Sequence, residues 1–175
     1  AFVSDVCRLH VLYKYGGVYL DTDMEILKPL DFISKNFVIG FEEKNFVAAG
    51  IIISPKENYF IGSIIEKYKF LSFNESISNL KSITIPKIIT NELIKKGLIL
   101  NNISQTIDKD IHVYSSEYFY PLNYFTGKLT IKKNTYSIHH YESSWMTAKQ
   151  KTTNKVKTFL ISIFGTTIIS KITQL

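Results

Sequence analysis

Residues 15–25, YGGVYLDTDME, join a glycine pair, a short apolar run and two aspartates one residue apart. The glycine pair ends a predicted amphipathic helix over Phe2–Tyr15, because glycine readily adopts the left-handed conformation that follows a helix. The apolar run at 18–20 then predicts a short buried strand, which ends in Asp21 and Asp23. Ligands of open α/β sheets bind beyond the carboxyl ends of strands, so this stretch predicts both a fold class and a site.

Further along the chain, apolar strands alternate with amphipathic helices. The other predicted strands cover residues 24–27, which resume the first strand, and then 37–41, Phe46–Ser54, Ile111–Tyr114, 129–131 and 136–140. The other predicted helices cover residues 58–70, 86–96 and 149–158. This alternation favours an α/β fold. The length of 175 residues predicts a single domain, 1–175, in which residues 149–175 form a C-terminal helical tail.

Composition and charge limit the kinds of partner. The formal charge is +6, and Arg8 is the single arginine among 21 basic residues. The lysines are scattered rather than set in a stripe with interleaved aromatic residues, so we predict no nucleic acid partner. An anionic membrane surface could attract them weakly. No apolar run reaches the roughly 18 residues of a membrane span, and the lone Cys7 fits a reducing compartment. We expect a cytoplasmic protein, with peripheral contact at the inner face of the membrane left open.

Asp21 and Asp23 are candidate ligands of a divalent cation. Residues two apart on an extended segment point to the same side, so the two carboxylates repel each other. Mg²⁺ or Mn²⁺ would relieve this repulsion, since both ions accept hard oxygen ligands. A second Asp-x-Asp, formed by Asp108 and Asp110, follows no apolar strand, and we interpret it as solvated surface.

Two further segments carry candidate binding residues. Asp5 and Arg8 are three apart on the first helix and are therefore neighbours, either as a surface ion pair or as a binding pair. The choice of arginine in a lysine-rich chain favours binding. The segment IHHYESSW follows an apolar strand, and its adjacent His139 and His140 point to opposite faces. Trp145 either stacks on a base or sugar or fills the core.

Taken together, residues 1–31 resemble the central motif of the DXD-containing sugar transferases. This glycosyltransferase family 32-like group includes bacterial capsular-polysaccharide and lipopolysaccharide glycosyltransferases and is related to yeast initiating mannosyltransferases. Its pattern is A-x-x-S-D-x-x-R followed by L-Y-x-Y-G-G-x-Y-x-D-x-D. The matching positions are Ala1, Ser4, Asp5, Arg8, Leu12, Tyr13, Tyr15, Gly16, Gly17, Tyr19, Asp21 and Asp23. The segment IHHYESSW resembles a second family signature, a His-His run followed by Ser-Trp.

The resemblance implies a GT-A-like (Rossmann-like) mixed sheet flanked by helices. Members of the family carry a further strand–helix–strand region before the first helix, so we expect this catalytic domain to be N-terminally incomplete. The implied activity is transfer of a hexose from a nucleotide-diphosphate sugar, with retention of configuration, to a glycan or lipid-linked acceptor in surface polysaccharide synthesis. The acceptor site is expected in variable segments such as 70–96 and 114–125.

The resemblance also implies donor-binding residues. Asp5 and Arg8 would bind hydroxyls of the donor sugar. The other implied donor-binding residues of this motif are Ser4, Tyr19 and Asp21. Trp145 would contact the nucleotide diphosphate or the sugar.

The implied cation, Mn²⁺ or Mg²⁺, would be bound by both ends of the chain. Asp23 would bind it directly, and Asp21 would contact it through water or contact the ribose of the donor. His140 would complete the site together with Ser143, with His139 as the alternative. The implied catalytic residues are Asp5, Arg8, Asp21 and Asp23.

Two other classes of function also fit a strand that ends in Asp-x-Asp. A haloacid-dehalogenase-type phosphohydrolase would use Asp21 as a nucleophile, but its motif continues to Thr or Val where this chain has Glu25. A non-catalytic carbohydrate- or cation-binding module is the second alternative. The donor sugar, acceptor, linkage and oligomeric state are not specified by the sequence.

Overall fold

The computed structural model of the protein describes residues 2–30, 36–44, 46–69, 84–124 and 126–142. The helices are α1 (Phe2–Tyr15), α2 (Tyr59–Lys69), α3 (Ile85–Lys95) and α4 (Ser116–Phe119). The strands are β1 (Gly17–Leu20), β2 (Met24–Ile26), β3 (Phe37–Glu43), β4 (Phe46–Ser54), β5 (Gln105–Ile107), β6 (Ile111–Tyr114) and β7 (Ser137–His139). The predicted helix at 149–158 and the tail at 149–175 lie outside the described residues.

The first helix ends at the glycine pair, as predicted. Gly16 has a φ of 68°, and its N–H donates to the carbonyl of Leu12 at 2.8 Å. A Cβ at Gly16 would lie 2.6 Å from the backbone nitrogen of Lys56, so a side chain does not fit there. The turn therefore brings β1 directly back from α1 into the sheet.

Five strands form a mixed sheet in the order β1-β4-β3-β6-β5. The β3–β6 pair is parallel, and the other three pairs are antiparallel. Every residue of β4 except the first is buried, which agrees with the prediction of an interior strand from FVAAGIIIS. In the register, Gly17 lies opposite Ser54 and Leu20 opposite Ile51, which places the end of β1 beside the middle of β4.

Strand β2 does not continue β1, contrary to the prediction that the chain resumes one strand after the aspartates. The N–H of Met24 donates to the carbonyl of Asp21 at 3.0 Å, and this turn redirects the chain. Strand β2 then pairs with β7 in a separate antiparallel ladder, in which Met24 lies opposite His139. This ladder places the segment that follows Asp21 and Asp23 beside the last strand of the described chain.

Two short elements were not predicted, and one predicted strand is nearly absent. Strand β5 reads QTI and helix α4 reads SEYF, and both are too short to show a periodic pattern. The predicted strand at 129–131 is reduced to a single bridge between Leu122 and Leu129.

The core lies on both faces of the sheet. On one face, helices α1, α2 and α3 pack Leu9, Phe60 and Leu93 against the strands. On the other face, Phe119 and Tyr120 pack against the alternate residues of β3 and β4. A mixed sheet flanked by helices agrees with the α/β class predicted from the sequence. Within the described residues, no helix combines the length and the apolar character that a bilayer span requires.

Candidate active site

Helix α1 places Arg8 at the centre of a group of polar contacts. Its Nη2 lies 3.2 Å from Oδ1 of Asp5, and its Nη1 lies 3.1 Å from Oδ1 of Asp21. Nη1 also donates to the carbonyl of Ala49 on β4 at 2.9 Å. The guanidinium carbon lies 4.4 Å from the ring centroid of Tyr19, at a distance typical of a cation–π contact. Asp5 and Arg8 are therefore not an ordinary surface pair, because they connect α1 to the loop that carries the aspartates.

The environment of this group changes the pKa of two of its members. Burial raises the pKa of Asp5, and the nearby Arg8 offsets this only in part. Burial and a 2.7 Å hydrogen bond to Oδ1 of Asp21 raise the pKa of Tyr19 to about 12. The hydroxyl of Ser4 also hydrogen-bonds to Tyr19. Tyr19 thus remains a neutral donor at physiological pH and holds one oxygen of Asp21.

The side chain of Asp23 hydrogen-bonds to the last residues that the structure describes. Its Oδ1 lies 3.1 Å from Nε2 of His139, and its Oδ2 accepts the N–H of Glu142 at 3.0 Å. The N–H of His140 donates to the backbone carbonyl of Asp23 at 3.0 Å. These three contacts extend the β2–β7 ladder and position His139 next to the two aspartates.

The candidate cation site consists of Asp21, Asp23 and His139, whose ligand atoms all lie within 4.8 Å of one another. His140, our first choice from the sequence, is not placed there. It lies one residue further on, and its Nε2 is 2.8 Å from Oε2 of the exposed Glu25. Both histidines were candidates because neighbours on a strand point to opposite faces. The register of the β2–β7 ladder places His139, rather than His140, beside the two aspartates.

Ser143 and Trp145, which were predicted to complete the cation and donor sites, lie outside the described residues. Two buried nitrogens, Nε of Arg8 and Nδ1 of His139, have no hydrogen-bond partner among the residues that the structure describes. Buried polar atoms are rarely left without partners. Their position at this site is consistent with a site that binds a ligand.

Glu42 on β3 belongs to the same site but was not selected from the sequence. Burial raises its pKa, and both a hydrogen bond with Tyr141 and the nearby His139 act in the opposite direction. The signal in the sequence was the acidic pair Glu42–Glu43 at the end of an otherwise apolar strand.

A cavity of about 750 Å³ connects these residues. Its polar lining includes Asp5, Arg8, Asp21, Glu42 and His139, and helix α3 also contributes to the lining. This volume falls within the usual range of about 300–1,000 Å³ for small-molecule sites. The cavity is therefore large enough for a ligand that contacts the arginine and the cation site together.

Comparison with known proteins shows what the chain around this site is similar to. Residues 1–39 match the family model described as a glycosyltransferase sugar-binding region containing a DXD motif. The chain is 29% identical over 148 residues to an uncharacterized glycosyltransferase of Acanthamoeba polyphaga mimivirus, a match that covers 81% of this chain and 56% of that protein. It is 24% identical over 123 residues to an uncharacterized protein of Arabidopsis thaliana, covering 69% of this chain and 18% of that protein. No solved structure matches.

These matches confirm the resemblance drawn from the sequence, because residues 1–39 match the DXD-containing, sugar-binding region of a glycosyltransferase family and one relative is named as a glycosyltransferase. The matched residues include Asp5, Arg8, Asp21 and Asp23. The chain spans about half the length of the viral relative and less than a fifth of the plant relative.

Proposed function

We propose that this chain acts in a metal-dependent glycosyltransferase that moves a hexose from a nucleotide-diphosphate sugar to a glycan or lipid-linked acceptor. The observation that carries the proposal is the convergence of Asp21, Asp23 and His139 beside the cavity that also contains Arg8. Three residues from the first 39 and one from near the end of the described chain thus support a single site in this proposal.

The ligand set fits Mn²⁺ or Mg²⁺. Two carboxylates supply the oxygen ligands that both ions prefer, and the imidazole of His139 is more typical of a transition metal such as Mn²⁺ than of Mg²⁺. When bound, the ion supplies positive charge to the diphosphate that leaves the donor sugar. In this proposal His139 replaces His140 as the ligand from the far end of the chain.

The other residues of the site would position the donor. Arg8 offers planar donors, and Asp5 beside it accepts hydrogen bonds, so the pair suits adjacent hydroxyls of a sugar. Ser4 and Tyr19 would keep Arg8 and Asp21 in place rather than react. We propose transfer with retention of configuration, in surface polysaccharide synthesis in the cytoplasm or at the inner membrane face, on the basis of the family resemblance.

A thermal-stability experiment tests the cation site. UDP, GDP and a panel of UDP- and GDP-sugars are added to the wild-type chain with and without Mn²⁺, and the same series is run on Asp23→Asn. A ligand at about 100 times its Kd should stabilise the wild type by about 2.7 kcal/mol, and we expect the Mn²⁺-dependent part to disappear in the variant. Asp110→Asn, in the second Asp-x-Asp, is the matched control and should behave as wild type.

Equal Mn²⁺-dependent stabilisation of the wild type and Asp23→Asn would contradict the proposal. Where a nucleotide sugar stabilises the wild type, an assay for its hydrolysis distinguishes an enzyme from a non-catalytic binding module. A covalent phosphoenzyme at Asp21 would instead support the phosphohydrolase alternative.

A further inference from the structure

A second cavity, of about 560 Å³, meets the first at Glu42, which lines both. Its walls come from the loop before β5, from helix α4 and from the segment that follows α4. The second of the two segments expected from the sequence to bind an acceptor, residues 114–125, contributes to these walls. The two cavities are therefore neighbours that share one carboxylate.

The walls of the second cavity present hydroxyl and amide groups held by mutual hydrogen bonds. Oδ1 of Asn102 accepts the N–H of Ser116 at 2.7 Å, and its Nδ2 donates to the hydroxyl of the same serine at 2.8 Å. The hydroxyl of Ser104 accepts the N–H of Ser115 at 3.0 Å. Hydroxyl groups both donate and accept hydrogen bonds, so this wall matches a ligand that is itself rich in hydroxyls.

The single lysine among the described residues that line the second cavity is paired with a carboxylate, and Glu42 adds a second carboxylate. Nζ of Lys132 lies 2.5 Å from Oε2 of Glu117, and both residues line the cavity. This differs from the first cavity, where Arg8 lies beside the candidate cation site. The second cavity therefore has no surplus positive charge for a phosphate and suits a neutral ligand.

An aromatic side chain completes the lining. Tyr118 lines the cavity and is stacked on Tyr136, with ring centroids 6.2 Å apart and an interplanar angle of 10°. Rigid aromatic residues supply contact area at low conformational cost, and such a face packs well against the apolar face of a sugar ring.

We propose that the second cavity binds a neutral carbohydrate as the acceptor, and that Glu42 accepts a hydrogen bond from a hydroxyl of that acceptor next to the one that attacks the donor sugar. This inference rests on the proposed function, because it places the acceptor next to the donor cavity. In the transfer, the acceptor oxygen forms the new glycosidic bond and the bond between sugar and nucleotide diphosphate breaks. The bonding electrons leave with the diphosphate, whose released oxygen takes the proton of the acceptor hydroxyl.

Saturation-transfer NMR with free sugars tests the cavity without any nucleotide. The probes are the methyl glycosides of glucose, galactose, mannose and N-acetylglucosamine, together with maltose. We expect saturation transfer to at least one probe in the wild type and its loss in Ser104→Trp, in which the indole fills the cavity. Ser63→Trp, at an exposed position on α2, is the matched control and should keep the wild-type signal. Melting temperatures of both variants establish that they are folded.

A second series tests Glu42 itself with the probe that binds best. Glu42→Leu should weaken its binding about tenfold, which corresponds to loss of one hydrogen bond to a carboxylate, and Glu42→Gln should restore most of the affinity. Glu43→Leu is the control, because Glu43 is an adjacent carboxylate of β3 that lines neither cavity. No saturation transfer to any probe, or equal loss in Ser104→Trp and Ser63→Trp, would overturn the carbohydrate site. Unchanged affinity in Glu42→Leu would overturn the role of Glu42. Neither result depends on nucleotide binding, so failure here is distinct from failure of the donor site.

Discussion

Nη1 of Arg8 lies 3.1 Å from Oδ1 of Asp21, and the same nitrogen donates to the carbonyl of Ala49 at 2.9 Å. One side chain thus connects helix α1, the loop after β1 and the interior strand β4. The side chain of Arg8 is only 10% exposed, and Asp5 occupies its other terminal nitrogen. The position of the first aspartate of the DXD motif therefore depends on the planar geometry of a guanidinium.

Arg8→Lys should lose both stability and donor binding. A single ammonium group cannot reach two carboxylates and a carbonyl in three directions, so at least one partly buried acceptor is left unpaired. We expect a loss of about 1–3 kcal/mol in the free energy of unfolding, measured by urea denaturation. The Mn²⁺-dependent affinity for the nucleotide sugar should fall as well. The reciprocal change Lys14→Arg, at an exposed position of the same helix, is the control. Equal changes in unfolding free energy and in nucleotide-sugar affinity for the two variants would refute this role of Arg8.

Substitution of each of the two adjacent histidines in turn gives a matched test of the candidate cation site. His139→Gln should lower the affinity for Mn²⁺ by about tenfold or more, since changes in outer-shell residues alone reduce metal affinity by 10–100-fold. His140→Gln should leave the affinity nearly unchanged, because this side chain contacts Glu25 instead. Titration of free Mn²⁺ by electron paramagnetic resonance measures both. A larger loss in His140→Gln than in His139→Gln would mean that the β2–β7 register differs from the one described here.

Local signals in the sequence predicted the longer elements well. Helix α1 has the predicted bounds because its apolar spacing and the following glycine pair are both local features. Strand β4 was recognised from its continuous apolar run. The separate β2–β7 ladder was not predicted, because it depends on pairing between residues more than 100 positions apart. Strand β5 was missed because three residues, QTI, show no period.

The residues of the candidate site that lie within one segment could be predicted from the sequence. Asp5, Arg8, Asp21 and Asp23 lie within one motif, and the structure places them together. The choice between His139 and His140 could not be made locally, since it depends on which face of β7 meets β2. Glu42 carries a local signal as an acidic residue at the end of an apolar strand, but its place beside the other site residues arises from the packing of β3 beside β4, which is not a local feature.

Gly50→Ala should disturb both the candidate cation site and the packing around it. A Cβ at this position of β4 would lie 3.3 Å from Oδ2 of Asp21 and 3.4 Å from the hydroxyl of Tyr120, tighter than most real contacts. The carboxylate must therefore shift by a few tenths of an ångström. We expect a several-fold loss of Mn²⁺ affinity, with a loss of about 1–3 kcal/mol in stability from overpacking. Gly62→Ala, where a Cβ meets the ring of Tyr13, is the control for overpacking away from the site. Unchanged Mn²⁺ affinity in Gly50→Ala would show that Asp21 does not need this space.

Glu92 allows a pH-dependent prediction outside the site. Its Oε1 lies 3.2 Å from Nζ of Lys67 on α2 and 2.7 Å from Nζ of Lys95 on α3. Burial acts to raise the pKa of Glu92, but the hydrogen bonds and charges of the two lysines outweigh it and lower the pKa. A lowered pKa in the folded state stabilises the protein above the ordinary glutamate pKa of about 4.3, and this contribution disappears as the pH falls through the lowered value. Glu92→Gln should therefore reduce the free energy of unfolding by about 0.5–1 kcal/mol at pH 7 and by progressively less toward pH 3. Urea denaturation of both proteins across this pH range measures the difference, and a difference independent of pH would mean that the carboxylate charge does not hold α2 and α3 together.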